Sequence, residues 1–160
     1  MKGTMIYGPG DVRFEERPDP QILKPTDAIL KIAATCVCGS DLWSYRGIDQ
    51  TTEPHTMGHE YVGIVEEVGR DVTHIKPGQF VVGSFAASDN TCPHCHAGYH
   101  TSCAQREWMN AAQAPWLRVP LADGTLVATP EIPAADLVPS LLAASDVLGT
   151  GWFAADAANV

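Results

Sequence analysis

The chain has 160 residues, 45% of them hydrophobic, which suits one domain with a real core and excludes a disordered chain. It carries 19 acidic against 10 basic residues, a net charge of −9 with no basic cluster, which excludes a nucleic-acid backbone as partner. No apolar run approaches the roughly 18 residues that cross a bilayer, and no secretory stretch opens the chain, so a cytoplasmic protein away from membranes is expected.

In chain order, residues 2–7 and 11–16 are predicted strands on either side of the Gly8-Pro9-Gly10 turn. Asp27–Thr35 alternates in part, Tyr61–Val68 is rich in β-formers, and Gln79–Phe85 is a short apolar run; each is a predicted strand. With 14 glycines and 12 prolines, the chain is loaded with turn formers, which favours a compact β-barrel with irregular loops. Region 86–112 has no useful periodicity but holds three cysteines and three histidines, His94, His96 and His100. A long structureless stretch inside a compact domain is pinned by something, and the composition here points to a metal. At Asn110–Trp116, Pro115 removes a ladder donor, so a strand there is an edge or begins later. Helical signals come late, over Ala134–Leu142 and Ser145–Ala158.

The five cysteines fall into two groups, Cys36/Cys38 and Cys92/Cys95/Cys103, a spacing that without a signal peptide suggests metal ligation before disulfides. Two short motifs carry the chemistry: Cys38-Gly39-Ser40-Asp41, and Gly58-His59-Glu60 followed by Tyr61-Val62-Gly63 and Gly69. A catalytic zinc takes three protein ligands from Cys, His and carboxylate and keeps a fourth position open. Cys38 and His59 supply a thiolate and an imidazole. Either alone is more often a core residue; together, in this order and spacing, they are far more specific. Ser40-Asp41 before an apolar residue also reads as a helix N-cap.

These motifs resemble the signature of the zinc-containing medium-chain alcohol dehydrogenases, on the formaldehyde- and threonine-dehydrogenase side of that family. The resemblance runs from residue 1 to 160 and implies a GroES-like catalytic domain, mainly β with some α. It implies Asp146 as third zinc ligand, four residues before Thr150, which in relatives touches the nicotinamide. It also implies that Glu60 can exchange onto the metal, that Ser40 relays the alcohol's proton, and that Asp41 orients a ligand such as His59. Relatives often carry a histidine five residues after the zinc cysteine; Trp43 stands there, either lining the substrate pocket or simply packing.

Cys92-Pro93-His94-Cys95, with Cys103 eight residues on, resembles the family's structural-zinc lobe of about 86–112 with its first cysteine replaced by Asp89. Three readings stand: Asp89 completes the site, one of His94, His96 or His100 does, or the lobe is metal-free. Gly149-Thr150-Gly151-Trp152-Phe153-Ala154 matches a dinucleotide fingerprint, but no β-branched strand precedes it, so it is rejected as a phosphate loop. By resemblance, 145–160 begins the helix leading to a Rossmann domain that would start beyond residue 160, downstream or on a separate chain.

The expected function is the zinc-dependent half of an NAD(P)-dependent oxidoreductase acting on a small alcohol or aldehyde, inactive without its nucleotide-binding domain. A zinc-binding structural or interaction module is the competing reading. A metal-free quinone reductase relative is disfavoured by Cys38, His59 and Asp146 together. Trp43, Trp108 and Met109 are candidate pocket residues, and homo-oligomers through the nucleotide domain are an expectation from relatives.

Overall fold

The structure is a computed structural model that describes residues 1–49 and 53–160. The chain opens with a hairpin, β1 (Lys2–Gly8) and β2 (Asp11–Glu16), turning at Pro9-Gly10, where Gly10 takes φ +73°. After β3 (Ala28–Thr35) and the short α1 (Asp41–Tyr45), the two-residue β4 (His55–Thr56) pairs back onto β1. Next come β5 (Tyr61–Val68), β6 (Phe80–Gly83) and β7 (Ala86–Ala87). The lobe that follows holds α2 (Pro93–His96), a 3₁₀ turn at His100–Ser102, and β8 (Glu107–Trp108), which pairs with β7. Finally β9 (Trp116–Val119), α3 (Ala122–Thr125) and β10 (Leu126–Ala128) lead to α4 (Val138–Ala143) and α5 (Val147–Ala158).

The central sheet is five-stranded and antiparallel in order β10-β6-β5-β3-β9, flanked by the three-stranded β2-β1-β4 and the β7-β8 pair. This is the mainly-β, GroES-like architecture expected. Strand β3 lies between β5 and β9, which is why Ala28, Ile29 and Leu30 are all buried where an edge strand would alternate. Ala28 and Leu30 join Tyr61, Val65, Val81, Leu117, Val119 and Leu126 in the core cluster. Tyr61 is fully buried and donates its hydroxyl to the Ser84 carbonyl at 3.2 Å, so the polar tip of the largest core side chain is satisfied. Its ring occupies the space a side chain would need at position 83, which is why a glycine stands there. Pro115 behaves as its chemistry requires: β9 starts one residue later at the sheet edge, and Pro115 contributes only its carbonyl, accepting from Ile32 N–H at 2.9 Å.

Some expectations change. Helices are not confined to the end, because single turns α1, α2 and α3 punctuate the loops, though the two longest lie after Ala134. Ser40 does not cap α1: it sits in the αR region without a side-chain cap bond, and Asp41 accepts the Cys38 N–H instead. Met109 belongs to the core, while Trp43 and Trp108 are exposed. The glycines at 149 and 151 lie inside α5, in keeping with rejection of a phosphate loop. Among the described residues no helix is long and apolar enough to cross a membrane.

Candidate metal centre

The loop leaving β3 and the turn entering β5 meet because β3 and β5 pair antiparallel, Thr35 opposite Tyr61. This places Cys38 beside His59 and Glu60. Thr35 fastens the register by donating its hydroxyl to the Glu60 carbonyl at 2.8 Å. Gly58 precedes His59 with φ +96°, and a side chain there would meet the Gln113 backbone nitrogen at 2.6 Å; both the conformation and the close approach require glycine. The third contributor comes from far along the chain, at the residue just before α5: Asp146.

One ligand atom from each of Cys38, His59, Glu60 and Asp146 lies within 4.8 Å of all the others. His59 Nε2 is 3.3 Å from Asp146 Oδ2, and Cys38 Sγ is 3.6 Å from the same oxygen. A tetrahedral ion bonded at about 2.0–2.3 Å holds its donors about 3.3–3.8 Å apart, so these spacings fit one such ion. On the other side of the ring, His59 Nδ1 faces Asp41 Oδ1 at 3.6 Å, and the other oxygen of Asp41 accepts Cys38 N–H at 2.9 Å. Asp41 therefore touches both motifs and leaves Nε2 directed at the donor cluster. Phe85 sets its ring edge to His59 at 6.3 Å and stacks flat on Trp108 at 5.8 Å. A cleft of about 500 Å³ opens beside the cluster, with Phe85, Thr101, Asp146, Thr150 and Phe153 on its walls.

Not every predicted residue joins the cluster. Ser40 is exposed, and Thr150 reaches it only through Asp146, its hydroxyl 3.3 Å from Oδ1. Cys36, which its spacing groups with Cys38, is not among the four donors; its thiol bonds Glu60 Oε2 at 3.1 Å. Burial, with the Glu60 carboxylate, pushes the Cys36 thiol up to about 12, so it stays protonated at neutral pH. The contacts of Cys36 and Phe85 are not foreseen by the motifs: Cys36 carried a signal in its closeness to Cys38, Phe85 none.

The second cluster lies in the lobe. Asp89, Cys92, Cys95 and Cys103 bring ligand atoms within 4.8 Å of one another. Asp89 Oδ1 is 3.5 Å from Cys95 Sγ and 3.4 Å from Cys103 Sγ, and Cys92 and Cys95 sulfurs are 3.5 Å apart. His94, His96 and His100 are exposed and outside the group. The Thr91 N–H, with further donors from Cys103 and Cys92, holds the Asp89 carboxyl down at about 2. The Ala104 and Cys95 N–H groups bring Cys92 down to about 7, whereas burial lifts Cys95 to about 12. Three thiols and a carboxylate this close cannot all shed their protons without a cation among them, and the donor set suits zinc.

A β-domain with a Cys–His–carboxylate centre beside a cysteine-rich lobe has the layout of a dehydrogenase metal domain. Residues 24–140 match the model of the alcohol dehydrogenase GroES-like domain, and the chain belongs to the zinc-dependent medium-chain alcohol dehydrogenase family. It is 36% identical over 160 residues to zinc-type alcohol dehydrogenase B of Aspergillus flavus, covering 97% of this chain and 37% of that one. With the medium chain reductase/dehydrogenase ucsI of Acremonium sp it shares 37% identity, covering 97% and 54%. Its fold superposes on an alcohol dehydrogenase from Thermus sp. with a TM-score of 0.86 at 30% identity, covering 95% and 46%. The chain thus spans about half the length, or less, of these relatives. They do not separate the formaldehyde- and threonine-dehydrogenase branch from the rest of the family.

Proposed function

We propose that this chain is the metal-binding catalytic domain of a zinc-dependent, NAD(P)-dependent alcohol or aldehyde oxidoreductase, completed by a nucleotide-binding domain outside these 160 residues. The observation that carries this reading is the convergence of Cys38, His59, Glu60 and Asp146 within 4.8 Å of one another, from segments up to 108 residues apart, with Asp146 Oδ2 at tetrahedral spacing from both His59 and Cys38. In this reading Cys38, His59 and Asp146 hold the catalytic zinc, and Asp89, Cys92, Cys95 and Cys103 a structural one. When bound, the catalytic zinc supplies Lewis-acid polarisation of the substrate oxygen, and the nicotinamide supplies the redox partner.

The chain's own residues do the rest. Asp41 keeps the His59 ring oriented, and Glu60 stands as a spare carboxylate beside the ligands. Ser40, exposed two residues from Cys38, passes the alcohol's proton to water. Thr150 lines the cleft with Asp146 and meets the nicotinamide there, while the aromatic wall of Phe85 excludes water from the substrate's carbon side. Val147, Leu148, Trp152 and Phe153 of α5, all more than half exposed, are apolar surface that the nucleotide-binding domain would cover.

Metal analysis tests the reading: the chain should hold two zinc ions per molecule, Cys38→Ala and Asp89→Ala each losing one. By itself the chain should neither grip NAD(H) nor oxidise alcohols, because positioning two reactants supplies much of the rate. Fusion of a nucleotide-binding domain in register after Val160 should restore both activities, and His59→Ala should then abolish turnover. A chain whose zinc content is unaffected by Cys38→Ala, or which oxidises alcohols by itself, would overturn the proposal.

A further inference from the structure

Glu60 is only 2% exposed, and among the described residues its carboxylate has one hydrogen bond, from the Cys36 thiol at 3.1 Å. In this bond Cys36 is the donor and Glu60 Oε2 the acceptor. The same stretch of chain holds Glu60 twice: Thr35 donates to its carbonyl and Cys36 to its side chain. A buried carboxylate needs a donor or a cation, and Glu60 stands between the two, since it also belongs to the four-donor cluster. Cys36 is not among those four donors, so its S–H compensates the carboxylate without itself offering an atom to the ion.

We propose that Cys36 is a positioning residue of the metal centre, its S–H holding the Glu60 carboxylate back from the ion and leaving a coordination position open to exchange. The inference rests on the metal-site reading above. Without the thiol, the closest remaining compensation for Glu60 is the ion, so ligation tightens and release slows.

The test uses the full 160-residue chain loaded with cadmium, whose NMR resonance separates a one-sulfur centre from the three-sulfur lobe. Cys36→Ala, and Cys36→Val as a second donorless variant, should shift the one-sulfur resonance and slow its loss to a chelator about three- to tenfold, the size of one modest hydrogen bond. The lobe resonance should not move. Cys36→Ser keeps a donor and should match the wild type, and in a Glu60→Gln background the effect of Cys36→Ala should vanish. Donorless variants that match the wild type, a Ser variant that departs as Ala does, or an effect that persists with Glu60→Gln would each overturn the role of Cys36 alone. Absence of the one-sulfur resonance from the wild type would overturn the site reading and this inference together.

Discussion

Asp27 offers the sharpest test of how the frame around the centre is held. Its side chain is fully buried and takes four donors: Leu23 N–H at 3.0 Å, Lys24 N–H at 2.8 Å, and Arg118 through Nε at 2.6 Å and Nη2 at 3.2 Å. The bidentate pair ties edge strand β9 to the entry of β3, the strand whose far end leads to Cys36 and Cys38. Asp27→Ala strips Arg118 of this partner and leaves two backbone N–H groups without an acceptor. Breaking a buried pair costs about 3–5 kcal/mol. Arg118 is 20% exposed and has Glu107 3.6 Å away, so the lower end, about 3 kcal/mol, is expected. At about 2–4 °C per kcal/mol for a chain of this size, Tm should fall by about 6–12 °C. Circular dichroism melts at fixed free zinc read this directly, since unequal metal loading would shift Tm by mass action. Asp11→Ala, which breaks the Asp11–Arg13 pair in the exposed hairpin, is the control and should barely move Tm. If Asp27→Ala melts no lower than Asp11→Ala, the pair is not what holds β9 to β3.

Other outcomes follow from the loops. Burial alone would raise the Asp123 carboxyl, but N–H donors from Thr73, His74 and Ile75 with the Thr73 hydroxyl outweigh it and hold the value below normal. Its contribution to stability is therefore present above the ordinary aspartate range and lost as pH falls through the lowered folded value. Asp123→Asn should destabilise the chain at neutral pH and flatten the acid limb below about pH 4; an unchanged acid limb in urea titrations would refute the role. Stripping the metal with a chelator should raise amide exchange in the lobe around Cys92–Cys103 far more than in β3 and β5, because the lobe has few buried side chains besides its ligands. Equal protection with and without zinc would show that the lobe stands without a metal.

How much was legible depended on the range of the interaction. Cys38-Gly39-Ser40-Asp41 and Gly58-His59-Glu60 could be read as metal motifs because their donors are local and of few residue types. The strands around them were legible through β-branched runs and turn formers, and β9 through the donor that Pro115 lacks. In the lobe, spacing alone left Asp89, three histidines or no metal open; the turn that brings Asp89 against Cys95 and Cys103 leaves the histidines on its outer face. Asp146 entered only by resemblance, since nothing in its neighbourhood marks a residue that meets Cys38 across 108 positions of chain. The pattern could not say that Met109 turns into the core while neighbouring Trp108 stacks on Phe85, because both suit either side of a short strand. Nor could it separate Cys36 from Cys38. Two thiols two residues apart have equal chemistry in the chain, and only the approach of Glu60, set by the pairing of β3 with β5, makes one a donor to a carboxylate and the other a ligand candidate.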